Sequence, residues 1–353
     1  MSVLSRGLGR IYGAGVAWRN RGYEQNRRKL RRLAAPVVSI GNLSLGGSGK
    51  TPAVIALAAA WRARGLQVDV LSRGYGRTTR EMVVLAFSDD ASTRQAGDEP
   101  RLIARRAGVP VVVHADRWLA GRAAEASFHS QLHLLDDGFQ HRRLARQADV
   151  VLVHPHDLSD LPLPAGRMRE PLSALARATV ILYLPDEDHA SGVQEPESIL
   201  RRYTQAPIFT ARKIPSAVRR LDAAAGHDTL PLRPEPDLPV MAFCAIARPQ
   251  SFWRTLDRMG WNLVARQSFR DHHRYRAGEL RELFLQGLYH HAKAWITTEK
   301  DALNLPAQIT LPHLLAVEMS LEISGLEAML DHLEAVCGIS HPSHRPLAPE
   351  GVL

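Results

Sequence analysis

Pro36-Val37-Val38-Ser39-Ile40-Gly41-Asn42-Leu43-Ser44-Leu45-Gly46-Gly47-Ser48-Gly49-Lys50-Thr51-Pro52 is the stretch whose reading decides the fold of this chain. An apolar, β-branched run leads into a glycine-rich turn that ends in Gly-Lys-Thr, and helix-forming residues follow. Backbone N–H groups of such a turn converge on one concavity, a lysine reaches the β- and γ-phosphates, and a hydroxyl ligates the accompanying Mg²⁺. The ligand implied is a nucleoside triphosphate, held by Gly46, Gly47, Ser48, Gly49, Lys50 and Thr51. A strict G-x-x-x-x-G-K-[ST] pattern fails, because its first glycine would fall on Ser44. The neighbouring glycines supply the positive-φ freedom that the turn needs, and Pro52 is tolerated in the first turn of a helix. The plainer alternative is a glycine-rich strand-to-helix turn of any α/β protein.

Outward from the loop, strand-like runs alternate with helical stretches, the pattern of a mostly parallel α/β sheet with ligands at the carboxyl ends of its strands. Strands are expected at 68–72, 82–85, 111–113, 132–135, 150–153 and 180–183, with helices near 52–64, 98–107, 116–127 and 171–177. Residues 36–207 thus read as a P-loop core, and the proline-rich 208–238 as an extended linker or edge strand. A second, smaller α/β unit spans 239–340, closed by a helix near 323–336. Residues 341–353 form a tail.

The chain has 353 residues, 45% of them hydrophobic and 23% charged, an ordinary composition long enough for about two domains. Cys244 and Cys337 form no C-x-x-C pair, so neither a disulfide framework nor a zinc site is suggested, and a reducing cytoplasm is the expected compartment. Net charge is +9. Most of it lies in residues 1–32, where nine cationic residues face a single acid, Glu24. Apolar residues interleave with those cations at helical spacing, so residues 1–35 read as a basic amphipathic helix. Such a helix can lie in a membrane interface or pack on the protein's own core with a solvated basic face. No apolar run approaches the roughly 20 residues needed to span a bilayer. Nucleic acid is not an expected partner, since no nucleic-acid module is recognisable.

Several constellations carry chemistry. Leu132-His133-Leu134-Leu135-Asp136-Asp137-Gly138-Phe139-Gln140-His141 places two carboxylates at a strand end, where one of them could hold Mg²⁺ beside Thr51 or simply shape a turn. Gly97-Asp98-Glu99-Pro100 precedes a helix. There, acids either complement the helix dipole or accept the proton of an attacking hydroxyl. Arg73-Gly74-Tyr75-Gly76-Arg77 could contact phosphate or sugar, and His272, in Asp271-His272-His273, could reach across a cleft. Thr297-Thr298-Glu299-Lys300-Asp301 lacks the N-K-x-D of guanine recognition, which favours ATP. These residues alone leave open a phosphotransferase, an NTPase driving a conformational cycle, and a basic surface-binding module with a degenerate nucleotide fold.

Taken in order, the blocks resemble one family, the tetraacyldisaccharide 4′-kinases of lipid A biosynthesis. They run from Gly41-Asn42-Leu43 and Ser72-Arg73-Gly74-Tyr75-Gly76-Arg77 through Gly97-Asp98-Glu99-Pro100, the Asp136-Asp137 block and Leu163-Pro164-Ala165-Gly166 with Arg169-Glu170-Pro171, to Ala245-Ile246-Ala247-Arg248-Pro249 and Asp271-His272-His273. The serine at position 44 is itself a family trait. The resemblance implies transfer of the ATP γ-phosphoryl group to the 4′-hydroxyl of a tetraacyldisaccharide 1-phosphate. It maps Asp98, His272 and Lys50 to catalysis, the latter neutralising β/γ charge, and Thr51, Asp136 and Asp137 to Mg²⁺. Arg73, Tyr75, Glu99, Gln140, His141, Arg169 and Glu170 would shape the site, and closure of the two units would bring His272 toward Asp98. It further implies a peripheral or monotopic protein on the cytoplasmic face of the bacterial inner membrane, with a lipid substrate and no obligate protein partner. Two departures, Arg167-Met168 in place of Pro-Leu and Gln147 in place of an acid, bear on local loop geometry.

Overall fold

Valine, leucine and isoleucine runs too short for helices become the buried strands of one continuous sheet, covered by helices as parallel strands require. The computed structural model describes residues 3–25, 29–46, 49–86, 93–185, 196–221, 229–230, 238–306 and 311–339. Its strands are β1 (Val37–Asn42), β2 (Val68–Ser72), β3 (Val83–Leu85), β4 (Val111–Val113), β5 (Leu132–Asp136), β6 (Ala148–Val153), β7 (Val180–Tyr183), β8 (Ile208–Arg220), β9 (Thr229–Leu230), β10 (Pro239–Cys244), β11 (Asn262–Ser268), β12 (Ala294–Thr298) and β13 (Leu314–Ile323). Its helices are α1 (Val3–Glu24), α2 (Lys50–Ala63), α3 (Thr93–Ala96), α4 (Asp98–Ala107), α5 (Arg117–Phe128), α6 (Pro196–Leu200), α7 (Pro249–Met259), α8 (Ala277–Tyr289), α9 (Glu299–Ala302) and α10 (Leu326–Cys337). The helix expected near 171–177 is a 3₁₀ turn over Leu172–Arg177.

Strand order is β11-β10-β12-β13-β8-β7-β6-β1-β5-β2-β4-β3, with β9 paired to β8. From β7 to β4 all pairs are parallel, and β3 closes that edge antiparallel. The second unit, β11 to β13, is parallel within itself. One strand joins the two. Ile208–Thr210 of β8 runs parallel to β7, while Ala211–Arg220 runs antiparallel to β13. Residues 208–220, expected as linker, are therefore a 13-residue strand at the middle of the sheet. Pro215 is compatible with that place because the register slips there: Ala217 faces Glu318 and Pro215 faces Met319, leaving Ser216 as the extra residue of a bulge. The prolines at 231–236 lie outside the described residues.

The closing helix also differs from expectation. α10 does not pack within the second unit. Met329, Leu330 and Leu333 join Val38, Leu57 and Val150 in the core of the first, because β13 runs back along β8 and delivers the chain there. Trp61 of α2 donates its indole N–H to Glu334 at 2.9 Å, and Arg64 pairs with the same carboxylate. Leu330→Ala should therefore destabilise the P-loop core by about 2–5 kcal/mol in denaturant unfolding. A loss confined to the second unit would contradict the packing.

Candidate active site

Gly49 starts the site: at φ 77° it caps α2 in the left-handed region, turning the chain so that Lys50 opens the helix. Ser44, the missing first glycine, is explained by pairing. It forms an antiparallel bridge to Met168, Leu45 N–H donates to Arg167 O at 2.8 Å, and Arg169 N–H donates to Leu43 O at 2.6 Å. The first half of the loop is thus an extended segment that needs no glycine, and Arg167, the departure from the family pattern, donates its guanidinium to Leu45 O. Gln147, the other departure, accepts the Val37 N–H through its amide oxygen at 2.7 Å, as an acid could. Gly47 and Ser48 lie outside the described residues.

Lys50 Nζ lies 3.2 Å from Asn42 Oδ1 and 3.6 Å from Asp137 Oδ1. Arg169 grips Asp137 with two N–H donors at 2.8 and 3.0 Å and also donates to Asn42 Oδ1. Burial opposes ionisation of Asp137, but the Arg169 hydrogen bond and the Lys50 charge hold it down to about 2. Its neighbour behaves oppositely. Asp136, buried and accepting the Ser72 hydroxyl at 2.8 Å, is pushed up by burial and by the charge of Asp137. Glu99 at the cleft wall is raised from 4.5 to about 7 by burial and by Asp136.

Asp98, 6% exposed, opens α4 behind Gly97, whose φ of 92° and whose approach to Tyr75 O leave no room for a Cβ. Asp98 Oδ1 accepts the Glu99 N–H at 3.1 Å, and Oδ2 lies 2.9 Å from His272 Nδ1. The pair expected to form on closure is already formed. His272 holds a left-handed φ of 60°, rare for a residue with a Cβ, and its ring lies 5.5 Å from Tyr75. The hydrogen bond to Asp98 raises the His272 pKa against the pull of burial. Arg274 donates to Gly76 O at 3.0 Å, so the Arg73–Arg77 loop touches the second unit twice.

These groups meet in a cleft of about 1930 Å³ between the units. Its walls carry Lys50, Thr51, Arg73, Tyr75, Glu99, Asp136, Asp137, Gln140, His141, Arg169 and His272, most of them on the loops that follow the carboxyl ends of strands from both halves. Two expected residues stand back from it. Asp98 is behind Glu99 and His272. Glu170, wholly buried, accepts from Asn20 of α1 at 2.6 Å, Arg177 at 3.0 Å and Gln140 at 3.1 Å, and so braces the loop from behind. His141 sits with Arg117 and Arg146, whose charges add to burial and press its pKa down to about 4. Arg117, Asn42, Ser72 and Lys300 were not anticipated as site residues. Arg117 is 5% exposed, is lowered to about 10 by burial, and has no carboxylate within salt-bridge distance among the described residues. Its only sequence signal is the Asp116 cap before it.

Among the described residues no group of three or more His, Cys, Asp or Glu side chains forms a ready metal cage. That suits Mg²⁺, which keeps several waters and binds through one or two carboxylates and nucleotide phosphates. Asp136, raised by burial and by Asp137, and Glu99, raised by burial and by Asp136, leave negative charge that a divalent cation would relieve.

The model of the LpxK family, tetraacyldisaccharide-1-P 4′-kinase, matches residues 1–337. The chain belongs to this family. Similar relatives are the tetraacyldisaccharide 4′-kinases of Koribacter versatilis, 40% identical over 92% of this chain and 96% of that protein, and of Anaeromyxobacter sp. strain Fw109-5, 38% identical over 94% and 88%. A crystal structure of LpxK from Aquifex aeolicus in complex with ATP superposes with a TM-score of 0.76 at 26% identity, covering 94% of this chain and 97% of that one. The protein is accordingly an ATP- and Mg²⁺-dependent kinase that phosphorylates a tetraacyldisaccharide 1-phosphate at the 4′ position in lipid A biosynthesis.

Glu99 offers a test of the cleft electrostatics. A carboxyl raised to about 7 keeps a proton that the unfolded chain releases near 4.5, so its contribution to stability is full below pH 4.5 and is lost as pH rises to about 7. Asp136→Asn should move the Glu99 titration, followed by carbon-13 NMR, toward 4.5. An unmoved titration would sever the two groups.

Proposed function

We propose that Asp98 accepts the proton of the substrate 4′-hydroxyl, with His272 holding the carboxylate and Lys50 neutralising charge on the β- and γ-phosphates. The observation that carries this reading is the 2.9 Å contact between Asp98, on the helix beside the phosphate loop, and His272 of the second unit. Phosphoryl transfer asks the protein chiefly to position the hydroxyl and to stabilise spread charge. Asp98 is suited to the acceptor role because the His272 hydrogen bond and the Lys300 charge overcome burial and keep it ionised. Thr51, Asp136 and Asp137 would hold Mg²⁺, which when bound neutralises developing charge on the transferring group. Arg73 and Arg117 line the cleft as cations that would meet substrate phosphate.

A second reading is favoured by one observation: Glu99, not Asp98, faces the cleft, and its value of about 7 suits a base working near neutrality. Paired variants separate the two. With γ-labelled ATP and the disaccharide lipid, Asp98→Asn should lower kcat at least about 100-fold with ATP binding retained, and Glu99→Gln much less. Lys50→Ala should weaken phosphate handling itself. If Glu99→Gln abolishes turnover while Asp98→Asn does not, the base assignment moves to Glu99. Label released as phosphate without lipid would instead favour a hydrolase.

We further propose that α1 lies at the cytoplasmic face of the inner membrane. No helix among the described residues is long and apolar enough to cross a membrane. α1 docks Val16, Asn20 and Tyr23 against the body yet leaves Trp18 73% exposed and Tyr12 exposed, the amphipathic aromatic arrangement of an interfacial segment. Trp18→Ala should reduce partitioning onto vesicles containing anionic lipid while leaving the fold intact by circular dichroism. Unchanged partitioning would defeat the interfacial assignment.

A further inference from the structure

We infer that Lys300 is a positioning residue for phosphoryl transfer: its ammonium fixes the tautomer of His272 and, through it, the orientation of the Asp98 carboxylate. The inference rests on Asp98 as proton acceptor. Lys300 Nζ lies 3.3 Å from His272 Nε2, 3.2 Å from Asp271 Oδ1 and 3.8 Å from Asp98 Oδ2. An ammonium has donors and no acceptor, so at Nε2 it needs a lone pair. The imidazole proton is then on Nδ1, where it is donated to Asp98 Oδ2 at 2.9 Å. His272 is thereby committed to holding Asp98, and its other nitrogen is turned away from substrate chemistry.

The lysine is itself held by the fold rather than by its ion pairs alone. It sits on α9, where Thr298 Oγ1 accepts the Asp301 N–H at 3.1 Å and donates to Asp301 Oδ2 at 2.6 Å. Asp301 also accepts from Ala245 N–H at 3.0 Å and from the Tyr275 hydroxyl at 3.1 Å. One residue before the lysine, Glu299 pairs with Arg106 at the far end of α4. α4 begins with Asp98, so the same helix is gripped at one end by Glu299 and met at the other by Lys300 and His272. The two units are joined on both sides of the lysine, which leaves its distance to His272 little freedom.

Charge supports the assignment. The groups that face the Asp98–His272 pair are Glu99 from α4, Asp271 from the loop of His272 itself, Asn304, which donates toward Asp98 at 3.5 Å, the Tyr75 ring, and Lys300. Among them Lys300 lowers the affinity for a proton of both Asp98 and His272. Removing it makes the pair take up a proton at higher pH, whichever member receives it.

The test uses the full-length enzyme with Lys300→Met and Lys300→Arg, assayed with Mg·ATP and the disaccharide lipid. Lys300→Met should lower kcat about tenfold or more, leave KM for ATP within about twofold, and move the acidic limb of the kcat–pH profile to higher pH. Lys300→Arg should recover much of the rate. Nitrogen-15 spectra of the histidine rings in the resting enzyme should show His272 as the Nδ1–H tautomer, replaced in Lys300→Met by a tautomer mixture that titrates at higher pH. An unchanged tautomer and profile would overturn the inference, as would a rise in KM for ATP at constant kcat, which would make Lys300 a phosphate ligand. The spectra report on Lys300 whether or not Asp98 is the base, whereas normal turnover by Asp98→Asn would remove the base assignment alone.

Discussion

A single strand joins two halves of one sheet that run in opposite senses, and the geometry of the site follows from that constraint. β8 pairs with β7 over its first residues and with β13 over the rest. Apart from the antiparallel edge strand β3, both halves are parallel within themselves, and both present carboxyl ends of strands to the same cleft. Two halves of opposite polarity can do this only if the shared strand bends and twists. The bulge at Ser216 beside Pro215 supplies a local bend and extra right-handed twist. The return of β13 along β8 then places α10 on the first core, so the units are fastened by backbone pairing and by apolar packing together.

Within the cleft, like charges are sorted rather than averaged. Arg169 and Lys50 hold Asp137 ionised, and His272 and Lys300 do the same for Asp98. Burial raises both Asp136 and Glu99, with Asp137 adding to the first and Asp136 to the second. Arg117 is buried with no carboxylate within salt-bridge distance among the described residues, and burial together with the charges of Arg117 and Arg146 presses the His141 pKa down. Each imbalance would find a counterpart in the proposed reaction: a divalent cation for the carboxylates and phosphate oxygens for the guanidiniums.

Much of this was legible in the order of residues because it is local. The loop, the helix it opens and the carboxylates at the ends of β5 and before α4 are each specified within a dozen residues by glycine, turn and strand chemistry. Long-range partners were not legible. Lys300 stood in a block that bore on guanine recognition and on the extent of the family resemblance, and nothing in Thr297–Asp301 announces a histidine 28 residues away. Arg117 carries no motif at all. The proline content beyond residue 230 suggested a linker and obscured a strand whose pairing partner lies about a hundred residues later. Ser44 was a defect of pattern until its bridge to Met168 showed an extended segment in place of a glycine turn.

The buried carboxylate of Glu170 ties the first helix to the phosphate loop. It takes a hydrogen bond from Asn20 on α1 and another from Gln140, which also donates to Asn42 O, and Asn42 in turn touches Lys50. Three side chains therefore separate the outermost helix from the lysine of the phosphate loop. The first helix and the nucleotide end of the cleft therefore belong to one hydrogen-bonded assembly, and a displacement of the helix would reach the phosphate loop through Glu170, Gln140 and Asn42.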